Sequence, residues 1–215
     1  HAYVRRQRQM CIRDRLPPTS WAYQKDSVQV RYDRNYAVAL LKEAGVEPGL
    51  ELSMWVPLEP RAYNPSPRKT AELIQANLAD IGIELKLYTD DRFDRTQLSS
   101  IASTDLLLTG WIGNTGDPDN FLRPLLSCSS ERAGLNVSMW CNSDFDFLLD
   151  LALEINQQRH RVNLYRQAQN ILNEEVPVIP LAHGVQFRVH DRSLSGFKQS
   201  PFNAQPFDQV RREVQ

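Results

Sequence analysis

The sequence predicts a mixed α/β fold, a sheet flanked by helices, and three observations predict it. Leu50-Glu51-Leu52-Ser53-Met54-Trp55-Val56 and Ile83-Glu84-Leu85-Lys86-Leu87-Tyr88 alternate apolar and polar residues, the period of a half-buried strand. Between them Ala71, Ile74, Leu78 and Ile81 recur at helical spacing behind Ser66 and Pro67, an N-cap and first-position pair, with Gly82 as terminator. The run Asp105-Leu106-Leu107-Leu108-Thr109-Gly110-Trp111 is apolar on both faces, which predicts a central strand covered on both sides. Strand, helix and strand in that order imply a crossover unit with the helix packed on the sheet.

The remaining elements follow in chain order. Residues 1–15 hold five Arg (Arg5, Arg6, Arg8, Arg13, Arg15) against Asp14, a local charge of +4 that leaves −5 for the rest of a chain whose net charge is −1. An Arg-rich terminus is the ordinary form of a nucleic-acid arm. Here the run has neither helical nor strand period, and Met10-Cys11-Ile12-Arg13-Asp14-Arg15 looks like a translated adapter sequence. Residues 1–15 are therefore set apart as a non-native head, and no nucleic-acid partner is expected.

Residues 16–33 are Pro-rich and aromatic, predicting an extended segment across a surface. A helix over 35–44 turns Ala37, Leu40, Leu41 and Ala44 inward and ends at Gly45. Further helices are predicted near 92–101, from Asp117-Pro118 with Phe121, Leu122, Leu125 and Leu126 inward, over 144–156, and over 159–175 with Val162, Tyr165, Ala168, Ile171 and Leu172 inward. Residues 178–183 and 186–189 read as short strands, and the tail is rich in Pro, Phe and polar residues.

With 41% hydrophobic and 24% charged residues in 215, the composition is that of a globular chain, and it excludes low-complexity and disordered classes. No stretch approaches the roughly 20 uninterrupted apolar residues of a membrane helix. With the head set apart, Cys128 and Cys141 remain, an even pair that suits a disulfide in an oxidising compartment or two reduced core thiols in a reducing one. Two Cys without a nearby His are too few for a closed zinc site, so no metal is expected. Gly-x-Ser-x-Gly, the phosphate loop, His-Glu-x-x-His and the dinucleotide fingerprint are all absent. No enzyme and no cofactor are expected, and a hydrolase with a non-standard site is the rival from another class.

The informative stretch is Gly110-Trp111-Ile112-Gly113-Asn114-Thr115-Gly116-Asp117-Pro118-Asp119-Asn120-Phe121, a strand running into a polar, Gly-bearing loop that opens a helix. In open α/β sheets ligands lie beyond the carboxyl ends of strands. The alternative is a plain strand-to-helix turn with Asp117 as its cap.

The same stretch, with Leu126-Ser127-Cys128 and Trp140-Cys141, resembles the large-lobe motif of the dipeptide- and oligopeptide-binding proteins of ABC importers. Arg61-Ala62-Tyr63-Asn64-Pro65, Leu164-Tyr165-Arg166-Gln167-Ala168-Gln169 and Val176-Pro177-Val178-Ile179-Pro180-Leu181-Ala182-His183 match further blocks, and Tyr63-Asn64-Pro65-Ser66-Pro67 is most similar to the Sap-type periplasmic proteins. The resemblance covers residues 16–215, while members of the family are more than twice as long. It implies the C-terminal large lobe of a two-lobed periplasmic binding protein, its N-terminal lobes and signal peptide missing from a truncated chain. Residues 16–185 would form that lobe and 186–215 return to the first.

What the resemblance implies for function is a monomeric receptor of a Gram-negative periplasm that holds a peptide between lobes and delivers it to an inner-membrane ABC permease. Cationic antimicrobial peptides or haem are the Sap-like alternative ligands. Arg61 stands where relatives meet the peptide carboxylate, and its planar guanidinium suits that partner. Trp111 would line the pocket, Gly110 and Gly113 would let backbone approach the ligand, and Cys128 and Cys141 would close the loop behind it. Where relatives pair an Asp with the peptide ammonium this chain has Asn114, which accepts a hydrogen bond but carries no charge; Asp117 is the candidate substitute.

Overall fold

The computed structural model describes residues 15–25, 32–90, 104–132, 135–184, 189–198, 200 and 207–213. The predicted helix at 92–101 lies outside them. The chain divides into two compact units, one within Val30–Ile112 and the other drawn from the described residues on either side of it.

In the first unit, helix α1 (Arg34–Glu43) precedes strand β1 (Leu50–Pro57), helix α2 (Pro67–Ala79), strand β2 (Ile83–Asp90) and a short strand β3 (Leu106–Leu107). The sheet order is β2-β1-β3 and every pairing is parallel, with Leu50 opposite Ile83 and Met54 opposite Leu106. The β1-α2-β2 crossover is the one that the alternation predicts. Ala71, Ile74 and Leu78 of α2 pack on Met54, Val56, Leu85 and Leu108, and burying each large apolar side chain contributes about 1.5–3 kcal/mol. Gln75 Nε2 donates to the Leu85 carbonyl at 2.6 Å, pinning the helix to β2.

Two expectations need correcting here. The strand predicted over 105–111 pairs only at Leu106–Leu107 and lies at the edge of the described sheet. Its half-buried leucines have β1 on one side, whereas β1 is central and buries Met54, Trp55, Val56 and Pro57 in succession. Helix α1 does end at Gly45, φ +73°, but its predicted inner face is only half-buried at Ala37 and Leu41 and is exposed at Leu40 and Ala44. Helical spacing reports a face, and among the described residues no sheet buries this one.

The second unit is helical: α3 (Asp119–Leu126), α4 (Cys128–Arg132), α5 (Ser143–Glu154) and α6 (Gln158–Glu175), with a two-stranded antiparallel ladder of β4 (Leu194–Ser195) and β5 (Arg211–Arg212). Leu122, Leu126, Phe145, Leu149, Ala152, Tyr165, Ala168 and Leu172 form the core. Asn142 caps α5 by accepting from Phe145 N at 2.9 Å.

Leu16 and Ala22 belong to the same core, both essentially inaccessible. Over 16–25 the segment predicted to lie across a surface instead turns, with Ser20 N donating to the Pro17 carbonyl at 2.8 Å, and inserts two apolar side chains. Arg15, set apart with the head, also belongs to the folded unit: Nη2 donates to the Leu172 carbonyl at 2.7 Å, which also accepts from Val176 N, and Nη1 donates to Asn173 Oδ1. Residues 178–183 form no strand. Of the strand predicted at 186–189, only Val189 is described, exposed and unpaired with any strand, and 186–188 lie outside the described residues.

Cys128 and Cys141 are bonded, with Cα atoms 4.7 Å apart. Inside the loop they close, buried Asn136 donates through Nδ2 to the carbonyls of Ser127 (3.2 Å) and Trp140 (2.8 Å) and accepts from Ser138 Oγ at 2.6 Å. Trp140 meets the edge of Phe145 at 5.1 Å, and its Nε1 donates to Glu175 at 2.5 Å, so the loop is anchored to α5 and α6.

Candidate functional site

The site is built outward from the end of β3. Asp105 Oδ2 accepts from Ser53 N at 2.8 Å and Ser53 Oγ at 2.6 Å, while Asp105 N donates to Ser53 Oγ at 3.0 Å. These bonds hold the Asp105 carboxyl below the usual carboxylate range and set the start of β3 against β1. Leu108 N donates to the Trp55 carbonyl at 2.9 Å, so the chain leaves the sheet at Thr109–Gly110.

Arg61 lies at a tight reversal in the same unit. Its backbone N–H and carbonyl both pair with Asn64 at 2.9 Å, and Asn64 Oδ1 accepts from Ser66 N and Thr70 Oγ1 at 3.2 Å each, tying the turn to the start of α2. The Arg61 side chain is exposed, and no carboxylate among the described residues pairs with it. Between Arg61 and Asn64, the Tyr63 ring packs directly on Gly110, where a Cβ would stand 2.6 Å from Tyr63 Cγ. The turn of Arg61 and the segment Gly110–Trp111 are thereby brought together. Trp111 itself is half-buried.

Gly113, Asn114 and Asp117 belong to the second unit. Buried Gly113 seats the Phe121 ring, which a Cβ would meet at 2.5 Å. Both glycines thus have aromatic neighbours from the protein itself on the side where a Cβ would stand. Asn120 Oδ1 accepts from Asn114 N at 2.8 Å, closing the loop over α3 and leaving the Asn114 side chain exposed.

Asp117 is heavily engaged. Its Oδ1 accepts from Asp119 N at 3.0 Å, a local side-chain turn ahead of α3. The cap position itself falls to Pro118, which corrects the expectation of Asp117 as cap, because the Asp117 side chain bonds the first helical N–H and not the second or third. Arg161 Nη2 lies 2.7 Å from Asp117 Oδ2, and Tyr165 Oη donates to Oδ1 at 3.2 Å. Arg161 is itself gripped: Nε donates to the Ala152 carbonyl at 2.8 Å, Nη2 donates to Tyr165 Oη at 3.0 Å, and the guanidinium stacks 5.2 Å from Trp21 and 5.6 Å from Tyr165. Burial and the Asp117 charge push the Tyr165 phenol far up, so it remains a donor. Burial lowers the Arg161 value, but hydrogen bonds to Asp117 and Tyr165 outweigh that and raise it.

One turn on, Arg123 Nε donates to both Asp119 oxygens at 3.0 and 3.1 Å, and Nη1 to Asp150 at 2.8 Å. Burial raises the Asp119 carboxyl against the opposing pull of Arg123. Sequence reasoning found the loop but missed Arg161 and Arg123 as its anchors. The available signal was Arg161 four residues before Tyr165, on the face of α6 read as buried.

The depression beside α1, about 560 Å³ and lined by Tyr32, Asp33, Arg34, Asn35, Val38 and Asp80, contains none of these residues. Among the described residues no group of three or more His, Cys, Asp or Glu is placed to hold a metal.

A strand end feeding a Gly-bearing loop and a helix is the arrangement at which open α/β sheets place ligands, and family comparison makes the class specific. Residues 13–132 match the model of bacterial extracellular solute-binding proteins, family 5 Middle, over more than half of the chain. The chain belongs to this family. It is 40% identical over 199 residues to the peptide transport periplasmic protein SapA of Salmonella typhimurium, covering 92% of this chain and 36% of that one. It is 39% identical over 192 residues to a dipeptide-binding protein of Pseudomonas aeruginosa, covering 89% and 36%. The crystal structure of a dipeptide-binding protein from Pseudoalteromonas sp. SM9913 in complex with Met-Leu superposes with a TM-score of 0.82 at 37% identity, over 94% of this chain and 40% of that one. The chain thus spans little more than a third of the length of the curated relatives it matches.

Proposed function

We propose that this chain is part of the substrate-binding component of an ABC peptide importer of the Gram-negative periplasm, a receptor that captures peptides between two lobes and passes them to a membrane permease. The observation that carries this reading is the likeness, at 37% identity and TM-score 0.82, to a protein solved with the dipeptide Met-Leu. The names of the relatives at 39–40% identity, peptide transport and dipeptide binding, point the same way. The Cys128–Cys141 bond suits an oxidising compartment.

In this reading Arg61 takes the peptide carboxylate. Its backbone is fixed by the Asn64 pairing, while ordering the exposed side chain on the ligand costs about 0.5–1.5 kcal/mol. Trp111 supplies apolar wall, and the Asn114 loop meets the amino end by hydrogen bonding. Isothermal titration of the full-length protein with Met-Leu tests this, alongside Arg61→Ala. The expected result is saturable binding that Arg61→Ala weakens at least about tenfold, since a charge-assisted bond to the ligand is lost. Unchanged affinity in the variant removes Arg61 from the site, and no binding of any di- or tripeptide by the unaltered protein overturns the function.

A further inference from the structure

The loop that opens α3 holds two carboxylates, Asp117 and Asp119, yet presents neither as a free charge. Asp117 pairs with Arg161 at 2.7 Å and accepts from Tyr165 Oη and from Asp119 N. Asp119 pairs with Arg123 through both of its oxygens, and its side chain is only 18% exposed. The surplus acid of this cluster is Asp150, which lies on α5, is 65% exposed and shares Arg123. The other polar side chains of the loop are neutral. Asn120 is used internally on Asn114 N, and exposed Asn114 remains the group turned outward. Ion pairs this short act at a distance as dipoles, whose fields fall off faster than that of a lone carboxylate.

From this charge inventory we infer that the loop recognises an amino end by neutral hydrogen bonding, so that peptides with a blocked, uncharged amino terminus, N-acylated peptides included, belong to the ligand class of this site. Arg161 is the positioning residue behind that specificity, because it withdraws Asp117 from the ligand and fixes the loop to α6. The inference rests on the peptide-binding reading given above. Asn offers a carbonyl acceptor to an ammonium and an amide donor to an acyl oxygen, so one residue can meet both. A carboxylate in its place accepts only, and would favour the charged end.

Full-length protein is titrated at fixed ionic strength with Met-Leu and with N-acetyl-Met-Leu, which keeps the carboxylate and removes the ammonium, and the pair is repeated on Asn114→Asp. That residue is exposed, so the variant adds charge without disturbing packing. The unaltered protein is expected to bind the two ligands within about threefold of each other, and Asn114→Asp to favour the free amine by at least about tenfold. A preference of tenfold or more for the free amine in the unaltered protein overturns the inference while leaving peptide binding intact. Identical affinities for both ligands in Asn114→Asp overturn it by removing the loop from the amino end. Failure of both peptides to bind the unaltered protein instead defeats the functional reading itself.

Discussion

The coupling between Arg161 and Asp117 is open to direct measurement. Their side chains are 19% and 33% exposed, placing the pair between surface ion pairs, which contribute about 0.2–1 kcal/mol, and buried ones, whose disruption costs about 3–5 kcal/mol. Arg161→Met also removes the bond to the Ala152 carbonyl and the stacking on Trp21, about 1 kcal/mol each, so its total cost is about 3 kcal/mol. Asp117→Asn keeps an oxygen for Asp119 N and costs about 1–2 kcal/mol. In a double-mutant cycle followed by urea unfolding, the two changes are expected to overlap by about 1–1.5 kcal/mol. Trp21 fluorescence is the suitable probe, because the ring lies against Arg161 within the same unit. A coupling below about 0.3 kcal/mol would show that the pair is solvated and that Arg161 does not anchor the loop.

Two further outcomes follow from the same structure. Replacing both Cys128 and Cys141 by Ser reopens a loop of sequence separation 13 and is expected to lower unfolding free energy by about 3 kcal/mol in the chain-entropy model; the oxidised protein in reductant should match the variant, and equal stability with and without the bond refutes its contribution. The carboxyls of Asp105 and Asp119 are expected to titrate on opposite sides of the ordinary aspartate range, as read by carbon NMR. Asp105, depressed by its bonds to Ser53, contributes stability that is present above that range and lost as pH falls through its folded value, so Asp105→Asn should flatten the acid limb of the stability curve. Asp119, raised by burial, binds its proton more tightly when folded, so stability falls as pH rises through the interval between its unfolded and folded values. Reversal of the two midpoints would contradict the assignment.

Helices α2 and α3 were legible because each pairs an apolar stripe with a start signal, Pro67 with Gly82 around α2 being the sharpest, and α6 because a stripe on a long helix has few alternative readings. Leu106 to Leu108 misled because a continuous apolar run states only that both sides are covered. It does not distinguish strands on either hand from one strand and a neighbouring turn. Leu16 and Ala22 were illegible for the opposite reason, two apolar residues in irregular chain having no period to betray them. At the site, spacing located the loop but not its charge state. Asp117 looks like a free acid until Arg161, 44 residues on, is known to lie against it. Glycine is ambiguous in the same way: Gly110 announces a close approach, and only the fold identifies the visitor as Tyr63. A substitution that adds a carboxylate to the loop therefore differs physically from the native acids, because Arg161 and Arg123 are already engaged and the new charge at exposed position 114 would face solvent.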